Sequence, residues 1–155
     1  MATKTVTTFL ATYTSAFDSV AVARRAVGVF AQSRGFASSD VSDIVLAVGE
    51  ACSNAVEHGH TAKGQIIVRC TFENDTLTVE IGDRGRGFDE KRALESSIPA
   101  EFLGRGRGIP IMRAVMDGVR YETTKIGTTV FLEKRLIAGD RPKTFSENSW
   151  PDAGS

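Results

Sequence analysis

Asp40–His58 reads DVSDIVLAVGEACSNAVEH, and the rest of the chain is arranged around it. At about 100° per residue this is a single helix with two unlike faces. Val41, Ile44, Val45, Val48, Cys52 and Ala55 gather on one side; Glu50, Asn54, Glu57 and His58 gather on the other. Glu50 and Asn54 stand one helical turn apart, so a carboxylate and a carboxamide can converge on one bound object. Such a pair suits a base beside a cation ligand. A polar stripe opposite an apolar one is also the ordinary pattern of a solvated helix face, so this helix alone leaves both readings open.

Working outward, Lys4–Tyr13 is rich in Thr, Val and aromatic residues and reads as an edge strand. Asp18–Arg34 is helical, with Val20, Ala23, Val27 and Phe30 at three- and four-residue steps and Gly35 as its stop. Ser38, Ser39 and Asp40 supply caps for the central helix, which ends where Gly59 follows His58. Gln65–Phe72 and Leu77–Gly82 form a hairpin across Glu73-Asn74-Asp75-Thr76. A stretch without clear period runs to Gly104, followed by a short helix over Ile109–Met116. Val119–Thr123 and Thr128–Lys134 make a second hairpin turning at Lys125-Ile126-Gly127. Grouped hairpins, rather than strict strand–helix alternation, predict an α+β fold with helices on one face of a mixed, largely antiparallel sheet. Residues 1–137 are expected to form one domain and 138–155 a poorly ordered, flexible C-terminal tail.

Nineteen basic and nineteen acidic residues give no formal net charge, which argues against a broad field for nucleic acid or an anionic membrane. Cys52 and Cys70 fit buried apolar positions in a reducing compartment better than a disulfide framework. No stretch approaches the roughly 20 apolar residues of a membrane span. A soluble, cytoplasmic protein is expected.

Two glycine clusters flank the irregular stretch: Asp83-Arg84-Gly85-Arg86-Gly87 and Gly104-Arg105-Gly106-Arg107-Gly108. Glycine allows close approach of backbone to ligand, and the second cluster opens a helix whose free N–H groups suit a phosphate. Arg105 and Arg107 can add charge-assisted contacts. Alone, such pairs more often make turns. Neither cluster is a P-loop, and neither has the spacing of a dinucleotide-binding motif.

In order, Glu50-x-x-x-Asn54-x-x-x-His58, Asp83-x-Gly85-x-Gly87, Gly106-x-Gly108-Ile109 and Gly127-Thr128-Thr129 resemble the boxes of the GHKL ATPase superfamily. More closely, residues 5 to about 136 resemble the small bacterial anti-sigma-factor serine/threonine protein kinases of partner-switching pathways. The resemblance implies a Bergerat-type ATP-binding sandwich using ATP and Mg²⁺. Asn54 would bind the Mg²⁺, Glu50 would take the proton of a substrate hydroxyl, and Asp83 would accept a hydrogen bond from the adenine amino group. Gly85 and Gly87 would pass close to the base. Gly104, Arg105, Gly106, Arg107 and Gly108 would form the phosphate-facing lid and helix start, with residues 88–103 as the ATP lid. Thr128, or Thr129 in another register, would complete the adenine pocket. His58 belongs to the same box, although capping of a helix end explains it equally well.

The function implied is ATP-dependent phosphorylation of an anti-sigma-factor antagonist on serine, together with binding and inhibition of a sigma factor as a homodimer. A nucleotide-gated partner-binding regulator without significant catalysis is the alternative. A histidine kinase's catalytic domain is a third reading, against which the sequence shows no phosphoacceptor or dimerisation helices.

Overall fold

The computed structural model describes residues 5–58, 64–83, 108–124 and 127–137. In chain order the elements are β1 (Thr7–Thr14), α1 (Phe17–Ser33), α2 (Ser38–His58), β2 (Gln65–Glu73) and β3 (Thr76–Asp83), then α3 (Gly108–Val115), β4 (Gly118–Thr124) and β5 (Gly127–Arg135). The strands form a five-stranded sheet in the order β1-β2-β3-β5-β4, with every described pairing antiparallel. This is the α+β class expected from the grouped hairpins, and β1 lies at an edge as its composition suggested. The lid stretch, most of both glycine clusters (Gly85, Gly87, Gly104, Arg105, Gly106 and Arg107) and the tail 138–155 lie outside the described residues.

Local chemistry explains the punctuation. Asn74 and Asp75 take φ of 52° and 57° between Glu73 and Thr76. Two residues with positive φ suit the right-handed twist of a tight hairpin, and Asn and Asp tolerate that region. At the end of α1, Gly35 (φ 95°) donates to the Gln32 carbonyl and Phe36 donates to the Ala31 carbonyl. That is a Schellman ending, for which glycine carries no Cβ penalty. The central helix begins at Ser38, two residues before the expected start. Val41 donates to the Ala37 carbonyl, so the serines and Asp40 lie inside the first turn.

The sheet has two different faces. On the helix side, Ile66, Val68 and Cys70 of β2, Leu77, Val79 and Ile81 of β3, and Val130 and Leu132 of β5 are buried. They pack against a core that includes Val27, Ile44, Val48, Cys52 and Met112. Each such aliphatic side chain contributes about 1.5–3 kcal/mol on burial, which makes this layer the main source of stability. The other face carries exposed Leu10, an Arg69–Glu80 pair at 3.8 Å and the Arg120 guanidinium 4.0 Å above the Phe131 ring. The buried surface of α2 is wider than the expected stripe, because Ala47 and Ala51 are also buried. The reason is that α2 packs between α1 and α3 as well as on the sheet.

Candidate nucleotide site

One end of the sheet collects the functional candidates, and Lys134 fixes which end. Its Nζ lies 3.8 Å from Asp40 Oδ1 and 3.6 Å from Asp43 Oδ2, placing the start of α2 over the end of β5. From there α2 runs back toward the start of β5. Asp43 to Asn54 is about 16 Å of helix, and Lys134 to Thr128 is about 20 Å of strand. Tyr13 shares a row with Ile66 and Asp83. Burial, and then the Cys52 and Cys70 thiols, raise the Tyr13 hydroxyl above its usual range. Glu50 and Asn54 therefore lie at the same end as Asp83 and Gly127.

Strand alternation decides which side chains face α2. Leu77, Val79 and Ile81 point into the core, so Asp83 continues on the helix side. Val130 and Leu132 do the same for Thr128, whereas Thr129 belongs to the opposite face beside Gly82. Of the two threonines, only Thr128 shares a face with Asp83. Its Oγ1 is fully buried and has no hydrogen-bond partner. An orphaned hydroxyl of this kind costs about 1–3 kcal/mol unless a partner reaches it.

Gly127 brings the two strand ends together. A β-carbon there would collide with the Asp83 carbonyl oxygen and stand 2.7 Å from its Oδ1. Backbone thus takes the place of a side chain beside the carboxylate. On α2, Glu50 and Asn54 are partly exposed beside the buried Ala47 and Ala51, so they border the packed surface instead of facing fully away from it. The helix α3 starts at Gly108 and packs against α2, with Ile109 and Met112 buried one turn apart. That seats its N-terminal N–H groups, an anion-favouring feature, beside the α2 wall.

The remaining titratable groups here are structural. Burial pushes the Cys52 and Cys70 thiols up to about 12, and both are free. Burial also pushes the Tyr121 hydroxyl up to about 12, with Arg113 opposing the shift. The Tyr121 hydroxyl is a second buried polar atom without a partner. Sequence reading missed Tyr121 and Lys134. An inward register shared with Val130 and Leu132 was the available signal for Lys134, because a lysine at such a position must find an anion or a carbonyl.

The site thus joins an acidic and amide-bearing helix wall, a carboxylate at a strand end and a helix start inside an α+β sandwich, the arrangement of a nucleotide-binding ATPase domain. The family model of the histidine kinase-like ATPase domain matches residues 13–134, and the chain belongs to that family. Within it, the chain is a member of the GHKL anti-sigma-factor serine kinases. It is 32% identical over 120 residues to the anti-sigma F factor of Clostridium acetobutylicum, covering 74% of this chain and 83% of that protein. It is 31% identical over 126 residues to the serine-protein kinase RsbW of Bacillus velezensis, covering 76% and 78%. The solved structure of the RsbU and RsbW domains of Rv1364c from Mycobacterium tuberculosis superposes with a TM-score of 0.62 at 22% identity. That match covers 83% of this chain and 32% of the solved one, so the chain spans about a third of it and the likeness is one of fold.

No described helix is long and apolar enough to cross a membrane.

Proposed function

We propose that the protein is an ATP- and Mg²⁺-dependent protein-serine kinase that phosphorylates an anti-sigma-factor antagonist and binds and inhibits a sigma factor, acting as a homodimer in the cytoplasm. The observation that carries this reading is the convergence of Glu50 and Asn54 on α2 with Asp83 and Thr128 at one end of the sheet. Membership of the kinase family supports it independently.

In this reading the residues divide the work. Asp83 accepts from the adenine amino group, Thr128 offers its orphaned hydroxyl within the same pocket, and the Gly127 backbone closes the pocket's edge. The Asn54 amide oxygen would hold Mg²⁺, an ion that prefers oxygen ligands. The start of α3 at Gly108 faces the phosphates. ATP is the phosphoryl donor, and Mg²⁺ held at Asn54 would offset the negative charge of its phosphates. Glu50 orients the incoming serine hydroxyl and takes its proton as the oxygen joins the γ-phosphorus and the bond to the β–γ bridging oxygen breaks. Such transfer depends chiefly on positioning and charge neutralisation, which a rigid helix wall provides.

The test is transfer of labelled γ-phosphate from ATP to a serine of the antagonist protein encoded by the same organism. The expected result is stoichiometric serine phosphorylation with release of ADP. Protein that binds both ATP and the antagonist, yet transfers nothing under conditions where a related kinase works, would overturn the reading.

A further inference from the structure

Lys134 lies at the end of β5 away from Glu50 and Asn54, yet it touches both helices that build the site. Its Nζ donates to the Val115 carbonyl at 2.5 Å and also faces Asp40 and Asp43. Val115 is the last residue of α3, so its carbonyl is one of the acceptors that a helix end leaves unsatisfied. A cation there also meets the negative end of the α3 dipole. The same ammonium would repel the positive start of α2, were it not for the two carboxylates in that helix's opening turns. The Lys134 side chain is only 11% exposed, so its ammonium is shielded from water, although Asp43 at the margin is open to solvent. One ammonium thereby ties the C-terminal end of α3 to the N-terminal end of α2.

We infer that Lys134 is a positioning residue that sets the separation between the phosphate-facing start of α3 and the Glu50–Asn54 wall of α2; this rests on the kinase reading given above. Both helices are anchored at their far ends, and each runs from that anchor toward the nucleotide. The α3 helix is eight residues long, about 12 Å. A small tilt at Val115 therefore appears as displacement at Gly108. The adenine end is built differently, from β3 and β5, and those strands are held to each other by their own ladder. Lys134 should consequently act on the phosphates and on transfer, and leave recognition of the base alone.

Lys134→Met, which keeps the stem and removes the charge, is compared with the wild type for binding of ATP and adenosine and for kcat. The expected result is a loss of about tenfold or more in ATP affinity and in kcat, because small misplacement near the reacting atoms is costly. Adenosine affinity should stay within about twofold, since the strand-built end is independent of the change. Lys134→Arg should recover most of the loss. Asp43→Asn, at a partly exposed partner, should give the same pattern more mildly and serves where Lys134→Met does not fold. Equal losses for ATP and adenosine, or a fall in melting temperature with ATP affinity and kcat unchanged, would overturn the inference while leaving the kinase reading in place. Wild-type protein that binds no ATP would overturn both.

Discussion

Gly127 closes against Asp83 so tightly that a β-carbon on it would stand 2.7 Å from the carboxylate Oδ1 and collide with the main-chain oxygen. The start of β5 and the end of β3 are thereby locked together at the base of the proposed nucleotide site. Gly127→Ala is expected to destabilise the fold by about 1–3 kcal/mol, the usual range for overpacking, and to displace Asp83. Chemical denaturation and nucleotide titration check the two effects. Wild-type stability and ATP affinity in the variant would show that the contact is relieved at no cost.

Thr128 and Thr129 are neighbours in sequence with opposite outlooks. Thr128→Val removes an unpartnered hydroxyl, so the folded protein should be no less stable, while ATP affinity falls about three- to tenfold through loss of one hydrogen bond. Thr129→Val should leave ATP affinity unchanged. Calorimetric titration of both variants decides the matter, and a larger loss in Thr129→Val would reverse the assignment.

Glu50 and Asn54 should separate chemistry from binding. Glu50→Ala is expected to lower kcat by about 10²–10⁴-fold, the range for a positioned general base, with ATP affinity changed little. Asn54→Ala should abolish Mg²⁺-dependent ATP binding and, with it, transfer. A Glu50→Ala protein with undiminished turnover would instead favour a nucleotide-gated regulator without catalysis.

Tyr121 and the two cysteines predict an alkaline limit to stability. Their folded values lie near 12, above the ordinary 10.0 for tyrosine and 9.0 for cysteine. The neutral forms are therefore favoured by folding. The stabilisation is complete below about pH 9 and is lost as pH rises through 12, because the unfolded chain gives up these protons first. Replacing Cys52 and Cys70 by Ala should flatten the fall in stability above pH 9, measured by denaturant titration at each pH. At neutral pH, Tyr121→Phe removes a buried, unpartnered hydroxyl and should raise stability by about 1 kcal/mol. A lower melting temperature for that variant would mean the hydroxyl has a partner in solution.

Much of the architecture was legible because its signals are local. The periodicity of Val20, Ala23, Val27 and Phe30 marked α1, Gly35 marked its end, and Glu73-Asn74-Asp75-Thr76 marked a hairpin, which the strand pairing tightens to a two-residue turn at Asn74-Asp75. Helix starts were less legible, since Ser38, Ser39 and Asp40 can cap a helix or occupy its first turn, and the Ala37 carbonyl decided for the latter. The two faces of α2 could be read at 100° per residue. How far its packed surface spreads to Ala47 and Ala51 depended on α3, which lies some fifty residues away in the chain.

The sequence by itself determined the class of elements and their order, and offered the residues proposed to hold a nucleotide, because periodicity, turn chemistry and motif spacing act over a few residues. Only the tertiary structure decided that Thr128 and not Thr129 shares a face with Asp83, that Gly127 closes on that carboxylate, and that Lys134 joins α2 to α3. Those relationships depend on strand register and on where helices cross the sheet. Register inverts a side chain's face with a shift of one residue, and it is fixed by the packed core as a whole.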